Sequence, residues 1–155
     1  NIQLNENKIK FSFNYMQIIS KVIDGTFPDY TKVIPQLNDK SITTNNDDLK
    51  KAIDRVSAVA INEESKSKAI KLVIESNRLS LSVDSTSRGS AIEEIDLDYN
   101  NEKVEIGFNS RYLIDICNEI DGEKINLKFL NSTSPAIILD STDENIFFVL
   151  MPMRI

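Results

Sequence analysis

The chain has 155 residues, of which 41% are hydrophobic and 27% charged, and its net charge at pH 7 is −6. This length and composition are typical of a globular protein with a substantial core. The negative charge argues against a dedicated high-affinity nucleic-acid binder but leaves weak, non-specific DNA contact open. Histidine is absent, which excludes Ser-His and Cys-His catalysis, histidine metal ligation and a histidine pH switch.

The cysteine content and the hydropathy of the chain indicate a cytoplasmic protein. Cys117 is the single cysteine, so it cannot form an intramolecular disulfide, and it fits a reducing compartment. It falls among the apolar residues of a predicted helix, where a buried structural thiol is expected rather than a nucleophile. No apolar run approaches the length that a membrane-spanning helix needs.

Residues 1–34 predict two strands followed by a turn-rich segment. Lys8 to Phe13 alternates apolar and polar residues, and Tyr15 to Ile23 follows as a second strand with Asn14 at the turn. Two strands do not make a stable unit alone. We therefore expect residues 1–34 to be the end of a preceding domain, and residues 35–155 to form a complete domain.

From residue 35 onward the pattern predicts strands and two helices. A short strand, Ser41 to Thr44, leads into a helix whose N-cap is an Asx residue and whose first turn is acidic. A hairpin about Asn77-Arg78 follows, then a strand over Ile92 to Tyr99 and a short one over Val104 to Phe108. The second helix is capped by Asn109 and ends at Asp121-Gly122. Three strands complete the chain: Lys124 to Leu130, Pro135 to Asp140 and Ile146 to Met151.

This order predicts an α+β domain in which two helices pack on one face of a mainly antiparallel sheet. The other face of the sheet is then left to solvent or to a partner.

Four acidic clusters are the candidates for carboxylate chemistry. None has the spacing of an EF-hand loop, and with four glycines the chain contains no glycine-rich phosphate loop. We interpret the clusters as exposed faces and expect no catalytic residue, metal or cofactor. A carboxylate-dependent hydrolase is the alternative that a divalent ion between facing carboxylates would favour. The clusters are Asp47-Asp48, Glu63-Glu64, Glu93-Glu94 with Asp96 and Asp98, and Asp143-Glu144.

Four cationic residues lie on the two predicted helices: Lys50, Lys51, Arg55 and Arg111. Acidic residues are interleaved with them, and Asp47 precedes Lys51 by the i,i+4 spacing of helical ion pairs. The helices therefore present either a salt-bridged exposed face or a surface for weak phosphate contact.

The last predicted strand is apolar on both faces. Phe148 and Leu150 share one face, and a second apolar row is formed by residues of the other parity. Methionine suits a surface that accepts several partners, and Pro152 removes a backbone donor. Periodicity alone leaves open whether the second row is covered within the domain or is a docking site for a partner. The row comprises Phe147, Val149, Met151 and Met153.

The ending FVLMPMRI, residues 148–155, resembles the C-terminus of the bacterial DNA polymerase III β sliding clamp family. Three further segments agree in the same order along the chain. They are IDGTFPDY at residues 23–30, DLKKA at residues 48–52 and IGFNSRYL at residues 106–113.

The resemblance implies a non-catalytic processivity factor, a sliding-clamp fold and a ring. In this family each chain has three similar domains, and two chains join head to tail around duplex DNA, which is encircled without sequence preference. Residues 1–34 would be the terminal strands and linker of the second domain, and residues 35–155 the complete third domain. A chain limited to these parts is not expected to encircle DNA. The alternative is a free-standing, non-catalytic peptide-binding module that never forms a ring.

The resemblance also implies partners and a site. The third domain carries most of a pocket for short peptide motifs, typically glutamine followed by leucine and phenylalanine, on the catalytic subunit of DNA polymerase III, other polymerases, the clamp loader and repair proteins. Lys32 stands where many members have arginine, and keeps the charge without the planar fork. The DNA-facing residues would be Lys50, Lys51, Arg55 and Arg111. The pocket would be lined by Pro28, Lys32, Val33, Asn109, Tyr112, Thr133, Pro135, Val149, Leu150, Met151, Pro152, Met153 and Arg154.

Overall fold

The structure is a computed structural model that describes residues 1–60, 69–85, 89–143 and 145–155. It divides into two compact units, Asn1–Tyr30 and Thr31–Ile155. The predicted domain boundary after residue 34 lies a few residues beyond this division, and the assignment of the two parts to successive clamp domains stays a prediction.

The first unit is a three-stranded antiparallel sheet in the order β1-β2-β3. Its strands are β1 (Ile2–Leu4), β2 (Lys8–Phe13) and β3 (Met16–Lys21). β2 and β3 correspond to the two predicted strands, although β3 is shorter than predicted. β1 was missed because three residues are too few to show an alternating pattern.

The second unit contains two helices and eight strands among its described residues. Two short 3-10 turns, Tyr30–Val33 and Ala58–Ala60, precede the first of these strands and follow the first helix. In chain order the elements are β4 (Lys40–Asn45), α1 (Asn46–Ser57), β5 (Ala69–Glu75), β6 (Arg78–Ser85), β7 (Gly89–Asp96), β8 (Val104–Asn109), α2 (Ser110–Glu119), β9 (Lys124–Phe129), β10 (Ala136–Asp140) and β11 (Phe147–Leu150).

The eight strands form two four-stranded sheets, in the orders β11-β10-β9-β4 and β7-β6-β5-β8, and every pairing is antiparallel. The predicted α+β class and the order of the elements are confirmed. The description of a single sheet was wrong, because β4 pairs with β9 and β5 pairs with β8. These long-range pairings are invisible to local alternation, which specifies that a strand forms but not which strand it joins.

The core is built from alternating residues of both sheets together with one face of each helix. On β5 and β6 every second residue is buried, and the register places Leu72 opposite Leu81 and Ile74 opposite Leu79. Phe108 of β8 and Phe129 of β9 are fully buried in the same cluster. Helix α1 packs against α2 and against β4, β6 and β7. The helices therefore cover apolar faces of strands from both sheets.

The turn between β5 and β6 is formed by Ser76 and Asn77, which both have positive φ, of 48° and 63°. This conformation belongs to the type I′ turn that suits a two-residue hairpin. The predicted turn at Asn77-Arg78 was one residue too late, because Arg78 already pairs with Glu75. The Asn77 Oδ1 atom also accepts a hydrogen bond from the Tyr99 N–H at 2.9 Å, in the segment that follows β7.

The two helices are tied together by one buried asparagine. The Asn46 Nδ2 atom, in the first residue of α1, donates to the carbonyl oxygens of Cys117 at 3.0 Å and Ile120 at 3.3 Å. The last carbonyl groups of a helix lack partners within the helix. Asn46 supplies partners for two carbonyls at the end of α2, and it therefore fixes the start of α1 beside the end of α2.

The Asp140 carboxylate, at the end of β10, is buried and accepts four hydrogen bonds. Oδ2 accepts from the N–H groups of Asp121 at 3.1 Å and Gly122 at 3.2 Å, and Oδ1 accepts from the N–H and hydroxyl groups of Thr142, both at 2.7 Å. These bonds, above all the one from the Thr142 hydroxyl, lower the pKa of Asp140. Asp140 thereby joins the loop after α2 to the loop after β10.

We expect the folded chain to lose stability in acid through Asp140. Because the pKa of this carboxyl is lower in the folded state, its contribution is fully present above the ordinary aspartate pKa of about 3.9 and is lost as the pH falls below it. Asp140→Asn should be less stable than the unmodified chain at pH 7 and should show a smaller decrease below pH ~4. Urea unfolding at a series of pH values measures both effects.

Asp98→Asn is the matched control, because Asp98 is exposed and makes no hydrogen bond or ion pair in the described part of the chain. Its stability at neutral pH should equal that of the unmodified chain. Parallel stability curves for the unmodified chain and Asp140→Asn across the acid range would contradict the role of Asp140.

Candidate functional site

The apolar row of the last strand is the starting point of the site. Leu150 is 5% exposed and Phe148 packs against the core, whereas Met151 of the other row is 60% exposed. The alternation predicted from the sequence is present, and the second row is not covered within the described part of the second unit. Val149 and Met153 are half-buried, so the row is a shallow apolar surface.

β10 supplies one side of this surface. Ala136 pairs with Leu150 and Ile137 pairs with Val149, and continuing this register places Met151 beside Pro135. Pro135 is half-buried and Thr133 is exposed. The loop that carries Thr133 is closed by the Asn131 Oδ1 atom, which accepts from the Thr133 N–H at 2.9 Å. The structure thus brings Pro135 next to the C-terminal segment, and Thr133 lies in the loop just before it.

The end of β8 and the start of α2 supply another side. The Met153 N–H donates to the carbonyl oxygen of Gly107 at 2.8 Å, two residues before Asn109. The Asn109 Oδ1 atom accepts from the Arg111 N–H at 3.0 Å, so this side chain is the N-cap of α2. Tyr112 lies in the first turn and is 56% exposed. Its ring is therefore exposed on the helix that follows the bridged strand β8.

The remaining predicted pocket residues have different positions. Pro28 is exposed and belongs to the first unit. Lys32 and Val33 are exposed at the beginning of the second unit. Pro152 is half-buried and Arg154 is exposed. Leu150 belongs to the core, which leaves its side chain little area for contact with a ligand.

The predicted DNA-facing cations differ in their surroundings. Arg55 makes a bidentate ion pair with Glu93 of β7, with Nε to Oε1 at 2.7 Å and Nη2 to Oε2 at 3.1 Å. The hydrogen bond from Arg55 lowers the pKa of Glu93. Lys51 and Arg111 are exposed and Lys50 is half-buried. Over the described ranges, no ion pair forms at the i,i+4 spacing of Asp47 and Lys51 or of Arg111 and Asp115.

The acidic clusters and the single thiol are the remaining candidates for chemistry. No group of three or more Asp, Glu or Cys side chains there is arranged to hold a metal ion. Glu63, Glu64 and Glu144 of the acidic clusters lie outside these residues. Cys117 is buried, and burial raises the pKa of its thiol to about 11. A neutral, buried thiol is a core residue rather than a nucleophile. Within the described ranges, no helix has the length and apolar character to cross a membrane.

A family model described as the C-terminal domain of the DNA polymerase III beta subunit matches residues 31–154. The chain belongs to this family. Among curated relatives, the beta sliding clamp of Caulobacter vibrioides is 42% identical over 154 residues and that of Escherichia coli K12 is 32% identical. Each match covers 99% of this chain and 41% of the relative, so the chain spans about two-fifths of the length of the curated relatives it matches.

Solved sliding clamps share the fold. A DnaN sliding clamp from Bartonella birtlesii bound to griselimycin superposes with a TM-score of 0.92 at 40% identity, over 99% of this chain and 41% of that chain. A griselimycin-bound clamp from Pseudomonas aeruginosa gives 0.90 at 29% identity, again over 99% and 41%. The sliding-clamp fold and the family that the terminal motif implied are therefore confirmed.

The sequence analysis did not identify Gly107, whose carbonyl oxygen accepts the hydrogen bond from the C-terminal segment. A glycine in the interior of a strand often marks a close approach of another part of the backbone. Gly107 lies inside the predicted strand Val104 to Phe108, so this signal is present in the sequence. Its partner, Met153, lies far along the chain, and nothing local indicates the pairing.

We expect the two helix caps to be equally important for stability. Asn109→Ala and Asn45→Ala each remove an Oδ1 atom that accepts from a first-turn N–H, and each should lower the free energy of unfolding by about 1 kcal/mol. Asn109→Asp, which keeps an acceptor, should lose much less. Urea unfolding of the three variants tests this, and an Asn109→Ala variant as stable as the unmodified chain would show that the cap contributes nothing.

Proposed function

We propose that this chain is the partner-binding part of a sliding clamp, a processivity factor that tethers DNA polymerase to duplex DNA. The observation that carries the proposal is the exposed apolar row at the end of β11, which a backbone bridge joins to β8, the strand that leads into the helix of Tyr112. An apolar surface of this kind, with a polar rim, is the usual form of a peptide-binding groove. Membership of the DNA polymerase III beta family supports the nature of the ligand.

The ligand we propose is a short peptide of the glutamine, leucine, phenylalanine type, carried by DNA polymerase III, other polymerases, the clamp loader and repair proteins. Its apolar side chains would pack on Val149, Met151, Met153 and Tyr112, and its polar groups would face Thr133 and Arg154. Leu150 would contribute through its backbone, since its side chain is buried. Pro28, Lys32 and Val33 would belong to the same pocket. The griselimycin complexes of two relatives support a small-ligand site in clamps of this fold.

The wider assembly is also part of the proposal. Residues 1–34 would be the end of the second clamp domain and residues 35–155 the third, within a head-to-tail homodimer in the cytoplasm. DNA would be encircled and contacted electrostatically, without base readout. Lys50, Lys51 and Arg111 are the better candidates for this contact, because Arg55 is already paired with Glu93. The protein would act without catalysis, as a topological tether.

Two methionine variants test the peptide site. Met151→Ala and Met153→Ala should each weaken binding of a fluorescent Gln-Leu-Phe-type peptide to the chain by about 1–2 kcal/mol, roughly 5- to 30-fold in Kd. The reason is the loss of apolar contact area at the centre of the groove. Fluorescence anisotropy titrations measure the change.

Met16→Ala is the matched control, because Met16 is also a methionine with 60% exposure, equal to that of Met151, and it lies in the first unit. Its peptide affinity should not change. If all three variants bound the peptide as the unmodified chain does, the pocket assignment would be wrong.

The tether is tested on closed and open DNA. The protein that carries this domain, loaded by a clamp loader onto nicked circular duplex DNA, should stay bound during gel filtration and should be lost once the circle is cut. A ring leaves DNA only over a free end, whereas an ordinary binder is indifferent to topology. Equal retention on circular and linear DNA would instead favour the free-standing peptide-binding module.

A further inference from the structure

The last residues of the sequence cross from the edge of one sheet to the edge of the other. β11 is an edge strand of the first sheet and β8 is an edge strand of the second. Beyond Leu150 the chain makes an isolated antiparallel bridge, in which the Met153 N–H donates to the Gly107 carbonyl oxygen at 2.8 Å. One backbone hydrogen bond therefore connects the exposed methionine row to the strand that leads into α2.

Position 107 requires glycine because there is no room for a side chain, and not because of its backbone conformation. Its neighbours Ile106 and Phe108 are fully buried, so position 107 faces the opposite side of the sheet. Its φ is not positive, and other residues could adopt it. A Cβ atom at this position would lie 2.8 Å from the Met153 carbonyl oxygen and even closer to the Cγ2 atom of Ile155. Real Cβ atoms do not approach neighbours so closely, and a side chain here would displace the C-terminal segment.

The surface around Gly107 accommodates the end of the sequence. Small side chains on β5 and β6 leave a shallow hollow beside Ile155, and an ion pair between Lys71 Nζ and Glu105 Oε2, at 2.6 Å, lies next to it. Ile155 covers the glycine while remaining partly exposed. The hollow is lined by Ala69, Lys71, Ser82, Asp84, Glu105 and Ile155.

We propose that Gly107 and Ile155 are positioning residues for the peptide site. Together with Met153 they form a clasp that holds the C-terminal segment on β8, and the clasp sets the separation between Met151 and Tyr112. Neither Gly107 nor Ile155 needs to touch the peptide. A shallow groove binds well only when its walls are held in place before the ligand arrives. This inference rests on the proposed function, because it concerns the geometry of the same groove.

Gly107→Ala tests the clasp directly. The added methyl group should displace the segment, weaken peptide binding by about ten-fold and speed hydrogen exchange of the Met153 amide, which loses its acceptor. Gly89→Ala is the matched control, because Gly89 has a φ of +91° and, among the described residues, no atom beyond its chain neighbours lies within 4 Å of a Cβ there. It should lower stability through backbone strain alone. Equal loss of peptide affinity in the two variants would overturn the inference.

Ile155→Ala gives a second measurement that does not depend on the folding of Gly107→Ala. Ile155→Ala should bind about three-fold more weakly than the unmodified chain. It removes the atom nearest to the added methyl group but leaves the Met153 carbonyl oxygen in place, so the double variant should lose less affinity than the two single losses combined. Such rescue is not expected if Gly107→Ala acts only by destabilising the fold. Additive losses, or an Ile155→Ala variant with unchanged affinity and unchanged exchange at Met153, would overturn the clasp.

The two proposals fail in different ways. If the unmodified chain binds no Gln-Leu-Phe-type peptide, the proposed function is wrong and the clasp has no groove to position. If the unmodified chain binds and folded Gly107→Ala binds equally well, the proposed function stands and the clasp alone is refuted.

Discussion

The packing of two four-stranded sheets around one apolar core is the constraint on which the rest of the second unit depends. Each sheet buries one alternating face, and the aromatic rings of Tyr99, after β7, and Phe129, on β9, meet across the core with centroids 6.2 Å apart. Ile53 and Val56 of α1 enter the same core and have no exposed area. Because the inner faces are committed to this packing, outer faces, edges and loops are the parts of the second unit that can offer a surface to a partner.

The edges of the two sheets explain where the candidate site lies. An edge strand leaves backbone groups unpaired, and proteins usually cover or interrupt such edges. Here the C-terminal segment covers the outer edge of β8 with one bridge at Gly107, and Pro152 prevents a longer ladder from forming. The arrangement leaves Met151 outside the strands of both sheets and 60% exposed. An exposed apolar row is therefore a consequence of how the chain protects an edge.

Features governed by near neighbours in the sequence were predictable, and features governed by distant contacts were not. The caps Asn45 and Asn109 follow from side-chain chemistry within three residues, and both are present. The oppositely charged residues spaced i,i+4 on α1 and α2 form no ion pairs in the described part of the chain. Arg55 instead forms an ion pair with Glu93, which is 38 residues away in the sequence. The second apolar row of the last strand was predictable from the period-two alternation of the sequence. Its assignment to a peptide pocket came only from the resemblance to the family. Leu150 was assigned to the pocket by the resemblance alone, and its side chain lies in the core.

The buried asparagine that joins the helices also makes the lone thiol a reporter. Cys117 lies 3% exposed on α2, and its carbonyl oxygen accepts the hydrogen bond from Asn46 at the start of α1. A thiol reagent can reach the sulfur only when α1 and α2 separate, and the raised pKa of the thiol keeps its reaction slow until then. Since the sequence contains one cysteine, the rate of labelling in the unmodified chain measures the opening of this helix pair.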